Sequence, residues 1–254
     1  MIRVGLVGAT GYGGRELLRL LFNHGGAEFV AASSTSAIGQ RVATVLPGFQ
    51  GLTDVVFEAF DPDALAERCD VVFLGVPGTK SMDTGAALRK AGVRVVDMGP
   101  DFRLLNVDDF KTYYHTEHTQ PESLNERVYG MVPTYREAIR GAQLVAVPGC
   151  YPLSVLVPLK PLVVAVKPEI PVVIDSISGI SGAGRSLAQI FHFPEMNENV
   201  RAYKIGVHQH TPEMEQEIDH AVQVQFTPHI GPYTRGILST ITIRPTVEVD
   251  LDEV

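Results

Sequence analysis

The run Ile2-Arg3-Val4-Gly5-Leu6-Val7-Gly8-Ala9-Thr10-Gly11-Tyr12-Gly13-Gly14 decides how the first half of this chain folds. A short β-rich run passes directly into glycines. Arg15-Glu16-Leu17-Leu18-Arg19-Leu20-Leu21-Phe22 then places Leu17, Leu18 and Leu21 at helical spacing, and Gly25-Gly26 ends the segment. Strand, glycine turn and helix in that order let a pyrophosphate approach the backbone without meeting a Cβ and rest on the open N–H groups of the helix start. Gly8, Thr10, Gly11, Tyr12, Gly13 and Gly14 are therefore the expected dinucleotide contacts. A plain tight turn fits the glycines alone, but the flanking strand and helix favour the nucleotide.

A second strand follows at Glu28 to Ala32, and its end bears on which dinucleotide is held. An NAD site usually places an acid about 20 residues beyond the turn, on the ribose 2′-hydroxyl. Here the chain reads Ala32-Ser33-Ser34-Thr35-Ser36. Ser33, Ser34 and Ser36 leave room for a 2′-phosphate and can donate to it, with Arg41 as an extra cation, so NADP is expected; an ordinary polar loop is the competing reading. Strand and helix signals go on alternating. Val55 to Phe60 reads as a strand, and Asp61-Pro62 caps the next helix. Val71 to Leu74 is a buried strand ending in Gly75-Val76-Pro77, where Gly75 and Pro77 would border the nucleotide. A helix from Lys80 to Ala91 stops at Gly92, and Val93 to Met98 is another strand. Repeated units of this length imply a parallel, doubly wound sheet of Rossmann type.

Gly99-Pro100-Asp101-Phe102-Arg103 follows, and Arg103, just past a strand end, reads either as an anion ligand or as a solvated surface arginine. Residues 106–127 read as irregular, with His115 and His118 as loop histidines. Thr134-Tyr135-Arg136-Glu137 has capping-box spacing. Leu144 to Val147 is a strand that delivers Pro148-Gly149-Cys150-Tyr151-Pro152. A cysteine there fits a nucleophile whose thiolate is favoured by the next helix's positive end, and it equally fits a buried structural thiol.

Beyond Cys150 the pattern changes. Tyr151 to Val164 is apolar and punctuated by prolines, Pro171 to Ser178 is a strand, and Gly179 to Arg185 is a second glycine-rich loop suited to substrate. Lys204 to His210 is expected to be extended, which sets His208 and His210 on one face, and Thr211-Pro212 begins a helix. An acid/base partner for Cys150 suits these histidines better than a metal site, for which further ligands are lacking. Val222 to Phe226 and Ile237 to Ile243 alternate as antiparallel strands do. The whole is thus α/β: a dinucleotide-binding domain over residues 1–148, and over 149–254 an α+β domain whose sheet is largely antiparallel.

Composition narrows the partners. The chain has 254 residues, a formal charge of −8, 45% hydrophobic residues and two cysteines. That balance disfavours nucleic acid. Pro158, Lys160 and Pro161 break the best apolar run, so no membrane span is expected. The few cysteines and the lack of a secretion signal point to the reducing cytoplasm.

Taken together, Gly8-Ala9-Thr10-Gly11-Tyr12-Gly13-Gly14, Asp101-Phe102-Arg103-Leu104, Pro148-Gly149-Cys150-Tyr151-Pro152, Ser181-Gly182-Ala183-Gly184-Arg185 and His208-Gln209-His210-Thr211-Pro212-Glu213 resemble the N-acetyl-gamma-glutamyl-phosphate reductases of arginine biosynthesis, relatives of aspartate-semialdehyde dehydrogenase. The resemblance covers essentially the whole chain and implies NADPH-dependent reduction of an acyl phosphate through a Cys150 thioester. It also implies His208 as acid/base with His210 second, Arg103 on the leaving phosphate, and Ser181, Arg185 and Glu213 on the substrate, with Gly184 at the cofactor. A homo-oligomer, dimer or tetramer, is expected. The family's chains run beyond Asp250-Leu251-Asp252-Glu253-Val254, so the sequence is expected to be a piece of a longer protein that binds NADP weakly and turns over poorly. Two other readings stay open: a sibling reductase of aspartyl or carrier-linked glutamyl or aminoadipyl phosphate, and a noncatalytic NADP-binding sensor.

Overall fold

The computed structural model describes residues 1–169 and 171–250, so 251–254 lie outside the described residues. The chain forms two compact units, Met1–Lys111 with Thr116–Val147, and Thr112–His115 with the chain from Pro148 onward.

In the first unit the strands are β1 (Ile2–Val7), β2 (Ala27–Ser33), β3 (Phe57–Glu58), β4 (Val71–Leu74), β5 (Arg94–Asp97), β6 (Arg127–Tyr129) and β7 (Leu144–Ala146). They lie in the order β3-β2-β1-β4-β5-β7-β6, and every pairing is parallel. The helices are α1 (Tyr12–Phe22), α2 (Val42–Val45), α3 (Pro62–Arg68), α4 (Ser81–Lys90), α5 (Val107–Tyr114), whose residues from Thr112 belong to the second unit, and α6 (Val132–Gly141). Strand alternation builds two cores. Leu6 joins Ala9, Leu18, Leu46 and Phe57, whereas its neighbour Val7 joins Leu65, Leu74, Leu88 and Phe102. The strand order reverses between β1 and β4, and in such sheets the crevice at the reversal is where ligands bind.

Several local expectations need correction here. The strand read over Val55 to Phe60 shrinks to Phe57–Glu58. Residues 106–127 are not irregular, since they hold α5, a 3-10 turn at Pro121–Asn125 and most of what leads into β6. His118 is buried, edge-on to Phe102 and Phe110, and its Nε2 is 2.8 Å from the Asp101 carbonyl oxygen. Polar composition concealed a packed aromatic contact. Thr134 makes no side-chain cap; Pro133 occupies the first turn of α6, which kinks at Tyr135 (φ −114, ψ 22).

The second unit holds α7 (Cys150–Val166), β8 (Val172–Gly179), α8 (Phe193–Met196), β9 (Arg201–Ala202), α9 (His210–Glu217), β10 (Val224–Gly231) and β11 (Ile237–Thr242). Its sheet runs β11-β8-β10-β9 and is mixed. The outer pairings are antiparallel, but the central pair, β8 with β10, is parallel from Val172↔Val224 to Gly179↔Gly231. Alternation reports a half-buried strand, not its direction. The long crossover carrying α8 and α9 makes the parallel return possible. Val155, Leu156, Leu159 and Val163 are buried at helical spacing along α7, and Pro158 and Pro161 lie inside the helix. Among the described residues no helix is long and apolar enough to cross a membrane.

Candidate active site

In the first unit the glycine turn has the shape that a dinucleotide needs. Gly8 has φ +88, and a Cβ there would come within 2.5 Å of the Gly75 carbonyl oxygen, so the β1 and β4 ends meet backbone to backbone. A Cβ on Gly11 or Gly13 would meet nothing within 4 Å, leaving an open cradle above the turn. Gly11 caps α1 with no side-chain hydrogen bond, so the first-turn N–H groups remain available to an anion. Thr10 is half-buried beside them, and Tyr12, at 41% exposure, faces solvent.

The Gly8 N–H donates to the Ser33 carbonyl oxygen (3.1 Å), which sets the end of β2 against this turn. Ser34 and Ser36 stand on the surface there, their hydroxyls 3.5 Å apart, and the Ser36 N–H donates to Ser34 Oγ. Ser33 differs from expectation. Its side chain is buried, whereas Ser34 is half-buried and Ser36 exposed. Arg41 pairs with Asp54 on the surface, Nη1 to Oδ1 3.1 Å. Pro77 is exposed, and its carbonyl oxygen accepts from the Lys80 N–H in the turn after β4.

Helix α4 has the opposite arrangement to α1. Asp101, fully buried, accepts from the N–H groups of Thr79 (2.7 Å), Ser81 (2.9 Å) and Met82 (3.2 Å). Its start is therefore closed to ligands. Asp97 accepts from the Gly99 N–H and the Ser81 hydroxyl, and burial pushes its carboxyl up to about 6. Arg103 is not a surface arginine. It is buried, with Nε donating to the Val147 carbonyl oxygen (2.9 Å) and Nη2 to that of Met98 (3.0 Å). The sequence reading passed over Asp97, Ser81 and Asp101. Only the Asp101 that precedes Arg103 in the quoted motif hinted at them, and a cap supplied from 20 residues away leaves no local pattern.

In the second unit Cys150 is exposed, and it is the first residue of α7, whose N-cap, Gly149, adds no side chain. A thiolate there gains from the helix's positive end. The Gly149 N–H donates to Oε1 of the fully buried Glu213 (2.8 Å), and a Cβ on Gly149 would fall 2.5 Å from His210 Nε2. The first turn of α9 thus presses both His210 and Glu213 onto the residue before the thiol. Glu213, expected on the substrate, instead holds the cysteine turn.

His208 and His210 do come together, with ring centroids 4.8 Å apart, although not on an extended strand. The chain turns through Lys204 (φ 45) and Gly206 (φ +72), and His210 already opens α9. The His210 N–H donates to His208 Nδ1 (3.1 Å). His208 is wrapped by Tyr151, Tyr203 and Phe226, and burial, aided by the Lys204 ammonium, pulls it down to about 4. Behind it the Tyr203 hydroxyl donates to that of Tyr151 (3.2 Å), which donates to the His229 carbonyl oxygen (2.9 Å). Ser181 and Gly184 lie in the loop leaving β8; the Ser181 N–H donates to the Thr234 carbonyl oxygen, Gly184 has φ +83, and Arg185 is exposed.

A parallel nucleotide-type sheet and, in a second unit, an exposed thiol at a helix start with an imidazole packed on the residue before it define a semialdehyde dehydrogenase-type oxidoreductase. Residues 3–142 match the family described as semialdehyde dehydrogenase, NAD binding domain, and residues 150–254 match semialdehyde dehydrogenase, dimerisation domain. The chain is 44% identical to the N-acetyl-gamma-glutamyl-phosphate reductase of Desulforudis audaxviator over all of this chain and 75% of that protein. It is 46% identical to that of Symbiobacterium thermophilum over 94% of this chain and 70% of that one. The chain belongs to the N-acetyl-gamma-glutamyl-phosphate reductase family. In fold it is similar to aspartate semialdehyde dehydrogenase II of Vibrio cholerae, solved with ASA (TM-score 0.71, 17% identity, 100% of this chain and 77% of that one). It is also similar to the Candida albicans aspartate semialdehyde dehydrogenase, solved with NADP (TM-score 0.66, 20% identity, 98% and 73%).

Proposed function

We propose that this chain reduces N-acetyl-L-glutamyl 5-phosphate to N-acetyl-L-glutamate 5-semialdehyde with NADPH, releasing phosphate, as a cytoplasmic homo-oligomer, dimer or tetramer. The observation that carries this reading is the exposed Cys150 thiol at the start of α7, with His210 Nε2 packed on Gly149 beside it. The Cys150 thiolate attacks the acyl carbon, a C–S bond forms, and the C–O bond to phosphorus breaks. His210 takes the thiol proton, and the departing phosphate carries it away, its charge met by Arg103. When bound, NADPH supplies a hydride to the thioester carbonyl carbon. His210 then hydrogen-bonds the thiohemiacetal oxygen while the carbonyl re-forms, the C–S bond breaks and Cys150 returns as thiolate.

His210 takes precedence over His208 in this scheme. A ring held near pKa 4 and packed among aromatics is a weak base at neutral pH, and its Nδ1 already accepts from His210. His208 acts as a positioning residue. Ser181 and Arg185 would hold the substrate's anionic end, and Gly184 would serve the cofactor. Gly8, Thr10, Gly11, Tyr12, Gly13, Gly14, Gly75 and Pro77 would hold the cofactor's pyrophosphate, and Ser34 and Ser36 its ribose phosphate.

The test is to trap the acyl enzyme. Protein mixed with the acyl phosphate in the absence of NADPH is expected to gain one N-acetylglutamyl group on the Cys150 peptide by mass spectrometry. Cys150→Ala is expected to gain none, and aspartyl phosphate to label far more slowly. An unmodified Cys150 peptide in the presence of intact acyl phosphate would overturn the proposal.

A further inference from the structure

Arg15 stands fourth in α1, and its Nε is buried with no hydrogen-bond partner among the described residues. A guanidinium N–H shut away from water without an acceptor is costly, on the order of 1–3 kcal/mol, and calls for a partner from outside the chain, a water, an ion or a ligand. The residue lines a cavity of about 330 Å³ together with Glu16, Arg19, Leu46, Pro47, Gly48 and Phe49. The two other charges in that wall answer each other, since Arg19 Nε lies 2.8 Å from Glu16 Oε2. Arg15 is left as the uncompensated cation.

Its place relative to the nucleotide turn follows from helix geometry. Arg15 lies one turn along α1 from Gly11, on the same helix face, and long side chains on a helix lean toward its N-terminus. The end of β2 meets the same turn through Gly8 and Ser33. The loop after it is pinned beside α1 because Ala37, Val42 and Leu46 share a core with Ala9 and Leu18, with Phe49 packed against it. The chain that follows Ser34 and Ser36 is thus held against α1 from Ala37 to Leu46, and Leu46 lines the cavity beside Arg15. Arg41, the other candidate cation of that loop, is already paired with Asp54.

We propose that Arg15, rather than Arg41, is the cation that recognises the 2′-phosphate of the cofactor's adenosine, with the Leu46–Phe49 wall beside it taking the adenosine. A guanidinium fork matches a phosphate's oxygens in a way that hydroxyls alone do not. The inference rests on the NADP reading above and adds the residue that makes the choice between NADP and NAD.

Calorimetric titration of the purified chain with 2′,5′-ADP and with 5′-AMP separates the two ideas. The unmodified chain is expected to bind 2′,5′-ADP the more tightly. Arg15→Ala is expected to weaken 2′,5′-ADP about tenfold or more while leaving 5′-AMP unchanged, Arg15→Lys is expected to fall between, and Arg41→Ala to stay close to the unmodified chain. If Arg15→Ala binds 2′,5′-ADP normally, or loses both ligands equally, the inference is wrong. If the unmodified chain shows no preference for 2′,5′-ADP, the NADP reading itself falls, and the inference falls with it.

Discussion

Replacing Gly149 by alanine tests the thiol site with a single methyl group. The backbone at Gly149 (φ −60, ψ 152) is open to any residue, so alanine meets no conformational strain. The methyl would, however, lie 2.5 Å from His210 Nε2, 2.8 Å from its Cδ2 and 2.9 Å from Glu213 Oε2. Restoring ordinary contact at 3.4 Å moves the imidazole or the cysteine turn by about 0.9 Å. A displacement of about 1 Å in a reacting group slows chemistry roughly 10²-fold, about 2.7 kcal/mol. The measurement is the single-turnover release of phosphate on mixing the protein with the acyl phosphate without NADPH, which follows Cys150 acylation alone. Gly149→Ala is expected to acylate about 100-fold more slowly and to bind 2′,5′-ADP as before, since the nucleotide turn belongs to the other unit. An acylation rate within threefold of the unmodified protein would refute the claim that α9 sets the imidazole against the nucleophile's turn.

Glu213→Ala is expected to slow acylation as well, because the Gly149 N–H loses its acceptor, whereas Glu213→Gln keeps a carbonyl oxygen there and is expected to recover most of the rate; equal rates for the two variants would contradict a positioning role. Asp101→Ala removes the acceptor of three N–H groups at the start of α4 and is expected to lower unfolding stability in urea by about 2–4 kcal/mol. Asp97 gives a pH signature. Its carboxyl titrates near 6 in the folded state against 3.8 ordinarily, so its contribution is complete below pH 4 and is lost as pH rises through 6, by on the order of 3 kcal/mol. Asp97→Asn, which keeps an acceptor for the Gly99 N–H, is expected to be more stable than the unmodified protein at pH 8 and to lose that advantage by pH 4, as read from paired urea titrations; a stability difference that does not change with pH would count against the buried carboxylate.

Much of the molecule could be read within short windows of sequence. Gly8 through Phe22 announced strand, turn and helix because glycine placement and leucine spacing are local facts, and α1 follows them. Asp61-Pro62 capped α3 as expected, with Asp61 accepting from Asp63 and Ala64. Cys150 stood out because a lone cysteine after a strand-like run and before a helix has few roles. Polar composition misled at residues 106–127, where Phe110 and His118 turned inward. Alternation along β10 marked a half-buried strand but could not tell that its partner β8 runs parallel.

The chain's order of strands and helices, its glycine turn and its candidate nucleophile are properties of residues close together along the backbone, where periodicity and backbone preference act, and were legible in the amino-acid sequence alone. Which histidine faces the cysteine turn, which acid braces Gly149 from 64 residues away, and that Arg15 keeps a buried N–H without an acceptor among the described residues were decided only by the tertiary structure. Hydrogen-bond satisfaction and desolvation depend on what the fold brings alongside, and no local window contains that information.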